Sequence, residues 1–208
     1  SPRSSQGLVR ILQIKEVAIA SFAIFVVQIM DSGLFAIIPL YAKDILEMEL
    51  IGIGIIMATR GVGVGVGAVL GGFLFDKFYP RMHLINYVLA FAIGGIAVFL
   101  FTSTNILVLL SSFMFLMGVS FGLVYSTTPA LVANSTAHYS VGAAMGTWRI
   151  FYDLGGFTSP IILGGIAEIM GIVVPFYVTY SLLFLCMGLF IVLVYTMRPV
   201  MLNRKIEF

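Results

Sequence analysis

Four ionisable side chains lie near the middle of long apolar stretches of this sequence: Asp31, Arg60, Arg149 and Asp153. A charged side chain at the centre of a bilayer costs roughly 2.5–3.5 kcal/mol on translocon-based scales. Residues of this kind are seldom accidental, and the formal charges of these four sum to zero. Their types and positions predict a polar cavity between membrane helices, in which charges handle a solute or a proton.

Asp31 lies near the midpoint of the first apolar stretch, and Gln28 shares its helix face because the two are three residues apart. Burial favours the protonated carboxyl group, whereas a nearby cation favours the carboxylate. We therefore expect Asp31 to carry a proton and Gln28 to bind substrate through hydrogen bonds. Arg60 keeps its charge, so we expect it to pair with Asp31. The alternatives are a contact between Arg60 and an anionic substrate, and a permanent ion pair that only joins two helices.

Arg149 and Asp153 are four residues apart on one predicted helix, so they can pair directly. We expect the pair to mark an interior or inter-helix face rather than a lipid-facing one, and to contribute to substrate binding or proton coupling. A self-neutralised pair without a further role is the alternative. Trp148 and Tyr152 flank the pair, either as an aromatic wall of the cavity or as ordinary packing residues.

The composition indicates an integral membrane protein, since 61% of the residues are hydrophobic and only 10% are charged. Soluble domains carry about 25% charged residues. The apolar runs exceed the roughly 9–11 residues of a membrane β-strand, which favours helices. An all-α fold with six transmembrane helices is predicted, at residues 17–42, 50–75, 82–102, 106–133, 141–168 and 172–197.

Six spans place both termini on one side of the membrane. Eight basic residues then share that side, and only Lys43 lies on the other: Arg3, Arg10, Lys15, Lys77, Arg81, Arg198, Arg204 and Lys205. Positive charge concentrates on the cytoplasmic side, so both termini are expected in the cytoplasm. We divide the chain into a linker or cytoplasmic tail at 1–13, a helix bundle at 14–197 and a cytoplasmic tail at 198–208. The basic residues indicate this topology and no nucleic-acid partner.

Glycine is concentrated in the second and fifth predicted helices. Gly63, Gly67 and Gly71 are spaced by four and share one face, where small residues allow close approach of another helix. The face serves tight packing or, alternatively, sliding against a partner helix. In the fifth helix Gly156, Pro160 and Gly164 are expected to give close packing and a functional kink, because proline removes a backbone hydrogen bond.

The loop after the second helix is similar to the G-x-L-x-D-R/K-x-G-R/K motif of the major facilitator superfamily: it reads Gly72-Phe-Leu-Phe-Asp76-Lys77-Phe-Tyr-Pro-Arg81. The first helix, from Asp31 to Tyr41, also resembles that family. Gly142-Ala-Ala-Met-Gly146, Gly156-Phe-Thr-Ser-Pro160 and Gly164-Gly165 resemble the fifth-helix pattern of its drug–proton antiporters, with Ser159 in place of glycine. The resemblance implies that Gly72, Asp76, Lys77 and Arg81 lock one conformation, with Asp76 contacting the start of a neighbouring helix.

The resemblance covers nearly the whole chain and implies one six-helix half of such a transporter. Met114 stands where an amino-terminal half usually has an arginine, four residues before Gly118, and Ser1–Gln13 resembles a linker. A carboxy-terminal half is therefore favoured, with a second six-helix half as partner. A complete chain that forms a homodimer is the alternative.

These observations predict a proton-coupled secondary transporter that moves a small-molecule substrate by alternating access, with drug efflux as the favoured direction. The alternatives are a non-transporting membrane scaffold or sensor, and an uptake symporter for a sugar or organic anion. We expect the plasma (inner) membrane as its location. We expect no enzymatic activity, cofactor or metal, because the sequence contains no nucleophile–base constellation, phosphate loop or zinc spacing.

Overall fold

Six long helices account for nearly all of the chain in the computed structural model, which describes residues 11–78, 83–136 and 141–203. They are α1 (Lys15–Asp44), α2 (Leu50–Phe78), α3 (His83–Phe101), α4 (Leu107–Ser135), α5 (Val141–Met170) and α6 (Val174–Asn203). Each is long and apolar enough to cross a membrane. The predicted all-α fold with six transmembrane helices is confirmed.

Five of the helices have 29 or 30 residues and are therefore longer than a membrane span requires. Thirty residues extend about 45 Å, against roughly 30 Å of hydrocarbon. The excess is accommodated by tilt or by extension into the interfacial layers. α6 continues to Asn203, beyond the predicted boundary at residue 197.

The helices pair in a regular way, since α2 packs mainly on α4, α1 on α5, and α3 on both α4 and α6. α1 and α4 also contact each other, so they form the centre of the half-bundle. More than half of the most apolar window is buried in α1, α3 and α4, but less than a quarter in α2, α5 and α6. The outer faces of α2, α5 and α6 are therefore largely uncovered by this chain.

The predicted glycine face of α2 forms the contact with α4. A Cβ atom added at Gly63, Gly67 or Gly71 would collide with α4, mostly with its backbone. The contact is reciprocal, because Gly118 and Gly122 of α4 lie against the backbone of α2. Lipid gives helices no hydrophobic drive to associate, so close van der Waals packing of this kind holds them together. At this face α2 and α4 approach each other closely.

The contact between α1 and α5 is also close, and it includes hydrogen bonds. The Ser159 hydroxyl donates to the Ile29 carbonyl, and a Cβ at Gly33 would collide with the Ser159 side chain. Gly156 lies against the side chain of Gln28. Gly164, however, has open space where a Cβ would be, so its packing role stays a prediction.

Pro160 lies inside α5, which continues as one helix through it. A proline cannot donate to the carbonyl four residues earlier, which here belongs to Gly156. That carbonyl accepts a hydrogen bond from the Ser32 hydroxyl of α1, at 2.9 Å. The backbone group released by the proline is thus satisfied by a neighbouring helix, as the hydrocarbon environment requires.

Aromatic side chains join α6 to the rest of the bundle at two levels. Phe190 contacts rings on α1 and α3, with centroid distances from 5.2 to 6.3 Å: Phe22, Tyr87 and Phe91. At the other end of the bundle Phe176 contacts Tyr41 at 5.0 Å and Phe101 at 5.8 Å. Aromatic pairs at these distances add packing energy beyond their buried area.

We expect Gly67→Ala to lower the thermal unfolding midpoint of the purified protein, measured by circular dichroism in detergent. The added methyl group would meet the backbone of α4 at Val119, and overpacking of this kind costs about 1–3 kcal/mol. Gly65→Ala is the matched control, because its methyl group would enter open space on the same helix. An equal loss of stability in both variants would contradict the α2–α4 contact described here.

Candidate functional site

The predicted ion pair between Asp31 and Arg60 is present, and it joins α1 to α2. The Arg60 guanidinium donates to Asp31 Oδ1 from Nε at 3.1 Å and again from Nη2. Only 12% of the Asp31 side chain and 13% of the Arg60 side chain are exposed. Asp31 lies near the midpoint of α1, so the pair is enclosed at the depth where an unpaired charge is least tolerated.

Two phenylalanine rings complete the surroundings of Arg60. The guanidinium carbon lies 5.0 Å from the ring centroid of Phe35 on α1 and 5.9 Å from that of Phe121 on α4. A cation over an aromatic face is stabilised by the negative charge of the ring, most strongly where water is excluded. The close approach of α2 to α4 makes the second contact possible, since Gly118 lies against the Arg60 carbonyl.

Gln28 shares the α1 face of Asp31 in sequence, but its contacts are with α5. Its side chain is 8% exposed and lies against Gly155 and Gly156. Its Oε1 atom is buried and accepts no hydrogen bond from the described residues. A buried amide oxygen without a donor is unfavourable. The role of Gln28 in substrate binding stays a prediction.

The second predicted pair, Arg149 with Asp153, is also present but lies in a different environment. Arg149 Nε donates to Asp153 Oδ2 at 2.9 Å, within a single helix. Each of the two side chains is 57% exposed. The pair therefore lies on a face of α5 that this chain leaves uncovered, and its expected position on an interior or inter-helix face stays a prediction. The structure does not place the two ion pairs in contact.

A series of aromatic contacts connects the surroundings of the two pairs. Phe121 stacks on Tyr125 at 5.5 Å, and Tyr125 contacts Tyr152 of α5 at 5.9 Å. The Arg149 guanidinium lies 4.7 Å from the Tyr152 ring centroid, and Trp148 contacts the same ring at 5.8 Å. Together with Arg60 over Phe121, these contacts form an aromatic series from one ion pair to the other.

Three residues of this site were not predicted from the sequence: Phe35, Phe121 and Tyr125. A signal was available for two of them, because Phe121 and Tyr125 are spaced i, i+4 and share a helix face. The same spacing relates Trp148 and Tyr152. Spacing alone could not indicate that the two aromatic faces meet, since that depends on how α4 packs against α5.

The predicted conformational-lock residues lie at the end of α2. Asp76 and Lys77 are exposed, and Lys77 Nζ lies 5.7 Å from the ring centroid of Phe73. Gly72 has open space around its Cβ position. Arg81 lies outside the described residues. The helix-capping role of Asp76 stays a prediction.

The described residues contain no group of three or more histidine, cysteine, aspartate or glutamate side chains that could hold a metal ion. Two acid–base pairs lie within the described parts of these helices. Their chemistry is that of ion pairing and hydrogen bonding.

Six apolar helices with enclosed charges at mid-membrane define the protein as an integral membrane protein of the helical class. The family model of the Major Facilitator Superfamily matches residues 20–207, which is nearly the whole chain. The chain therefore belongs to this superfamily, which is a family of secondary transporters. A comparison with curated proteins gave no match.

We expect Arg60→Gln to reduce the free energy of unfolding by on the order of 3–5 kcal/mol, because it leaves the enclosed Asp31 carboxylate without its counter-ion. Chemical denaturation in detergent micelles would measure the loss. Adding Asp31→Asn to the same protein should restore part of the stability, since no buried charge then remains. Arg149→Gln is the control and should have little effect, because its pair is open to the surroundings. A similar loss in both single variants would contradict the difference in enclosure.

Proposed function

We propose that this protein is a proton-coupled secondary transporter in which Asp31 carries the proton. The observation that supports this most is the enclosed Asp31–Arg60 pair near the midpoint of α1. Arg60 is permanently charged, whereas Asp31 can be charged or neutral. The pair therefore has two electrostatic states, and one proton converts one into the other.

Protonation of Asp31 would remove the counter-ion of a buried guanidinium. Arg60 would then require another anion, a carbonyl group or water, because an uncompensated charge at this depth is strongly unfavourable. The two protonation states thus favour different arrangements of α1 and α2. A proton that biases two conformations is the basis of coupling in alternating access.

The substrate is proposed to bind between this half-bundle and a second six-helix half. The outer faces of α2 and α5 are largely uncovered, and one of them carries the Arg149–Asp153 pair. Transporters built from two repeats place substrate near the bilayer midplane, at the interface of the repeats. The missing arginine at Met114 supports a carboxy-terminal half within a larger protein, and a homodimer of this chain would provide the same interface.

We further propose that both termini are cytoplasmic and that the protein resides in the plasma (inner) membrane. Eight of the nine basic residues outside the membrane fall on the side of the termini in this topology. Asp76 and Lys77 then lie at the cytoplasmic end of α2, where the lock motif would act. The fifth-helix pattern supports antiport, with drug-like compounds as the substrates.

We expect Asp31→Asn to abolish solute movement driven by a pH gradient while preserving solute exchange at equal pH. The neutral amide cannot take up or release a proton, but it leaves the substrate surface of α5 unchanged. The measurement uses the complete transporter in liposomes, with a pH-sensitive dye inside and a panel of lipophilic cations, zwitterions, organic anions and sugars outside. Exchange of labelled for unlabelled solute is recorded in parallel.

Asp44→Asn is the matched control, because it removes an acid from the exposed end of the same helix. It should retain gradient-driven movement. Unchanged coupling in Asp31→Asn would refute the proton role of Asp31. Absence of flux in the unmodified protein, with every solute and under every gradient, would support a scaffold or sensor instead.

A further inference from the structure

The open ion pair of α5 has hydrogen-bonding capacity that the described part of the chain does not use. Arg149 binds Asp153 through Nε alone, and its two NH2 groups donate to no other described residue. Asp153 accepts through Oδ2, which leaves Oδ1 without a donor in the same part of the chain. A guanidinium can bind a second carboxylate through the edge formed by its NH2 groups. A donor and an acceptor of opposite charge are thus presented side by side.

The charges of this surface select the kind of ligand. A ligand with only a negative charge would bind Arg149 but would be repelled by Asp153. A ligand with only a positive charge would bind Asp153 but would be repelled by Arg149. Like charges brought together disfavour a partner. The enclosed pair on α1 and α2 cannot balance the charge of an anionic or a cationic ligand, because Asp31 and Arg60 already neutralise each other. A ligand that carries both charges close together matches the open pair and adds no net charge.

The aromatic rings beside the pair indicate the rest of the ligand. Tyr152 lies under the Arg149 guanidinium, and Tyr125, which is 39% exposed, contacts Tyr152. These phenol rings offer an apolar surface next to the charges. An apolar or aromatic body attached to the charged head group would pack on them.

We propose that Arg149, Asp153, Tyr125 and Tyr152 bind a small zwitterion with an apolar or aromatic body, of the α-amino-acid type. Its carboxylate binds the NH2 groups of Arg149, and its ammonium group donates to Oδ1 of Asp153. The body lies against the two tyrosine rings. This inference rests on the proposed transport function and names the substrate class of that transporter.

The only tryptophan of the sequence provides a built-in probe of this surface. Trp148 is one residue from Arg149, and its ring contacts Tyr152 at 5.8 Å. Its fluorescence should therefore change when a ligand occupies the surface. Phenylalanine does not absorb where tryptophan is selectively excited, so it can be titrated without interference.

The experiment titrates the protein in lipid nanodiscs with phenylalanine and two analogues of the same body: phenethylamine, which is a cation, and 3-phenylpropanoate, which is an anion. We expect phenylalanine to bind about tenfold or more tightly than either analogue. Glycine, which has the same head group without a body, should bind much more weakly than phenylalanine. Equal or tighter binding of either singly charged analogue, or no saturable change with phenylalanine, would overturn the proposal.

Single substitutions should change the preference in opposite directions. Arg149→Gln leaves Asp153 alone and should make phenethylamine the tightest ligand, whereas Asp153→Asn leaves Arg149 alone and should favour 3-phenylpropanoate. Binding of the newly preferred ligand also shows that each variant is folded. Glu168→Gln removes an exposed acid further along α5 and is the matched control. In this variant the order of affinities for the three ligands should be unchanged. An unchanged order in both site variants would refute the assigned contacts.

The binding assay requires no gradient and no flux. A failure of the proposed substrate class can therefore be distinguished from a failure of the proposed transport function. Normal proton-coupled flux of other solutes, without preference for zwitterions, would refute only the substrate class. Selective zwitterion binding without flux under any gradient would refute only the transport function.

Discussion

A permanent positive charge in the middle of a membrane is the constraint on which the arrangement of this half-bundle depends. Arg60 cannot be neutralised by losing its proton, so the fold must provide a counter-ion and exclude lipid from the site. Asp31 supplies the charge, and Phe35 and Phe121 cover the guanidinium. The cover from α4 depends on close helix approach, since Gly118 lies against the Arg60 carbonyl. The glycine contact between α2 and α4 and the Asp31–Arg60 ion pair therefore act together to stabilise the buried charge of Arg60.

α1 links this pair to α5 through the next residue in the chain. Asp31 binds α2, and the neighbouring Ser32 donates to the Gly156 carbonyl of α5. That carbonyl lacks its intrahelical donor because of Pro160, and lipid offers no replacement. Two consecutive residues of α1 thus satisfy an unpaired charge on one helix and an unpaired carbonyl on another. A shift of α1 that disturbs one contact also acts on the other, which gives α1 a central position in any coupling between α2 and α5.

The sequence was sufficient for features that depend on local spacing or on the hydrocarbon environment. Long apolar runs predicted the six helices, and i, i+4 spacing predicted the Arg149–Asp153 pair and the glycine face of α2. Opposite charges at similar depth predicted the Asp31–Arg60 pair. Features that depend on which helices are neighbours were missed, including the reciprocal glycines of α4, the Ser32 hydrogen bond and the aromatic series through Tyr125. Gly164 was assigned to packing because glycine spacing alone does not distinguish a covered face from an open one.

The two ion pairs consist of the same residue types, but they differ in how strongly their energy responds to a change of charge. In the enclosed pair, a change of charge on either partner leaves the other buried without compensation, so the energy of the site responds strongly to one proton. In the open pair the partners remain accessible, and exchange of one contact for another has a small energetic effect. In the proposed transporter, the enclosed pair would respond to protonation and the open pair would exchange ligands. Burial by α4 and the two phenylalanine rings, rather than residue type, separates the environments of the two pairs.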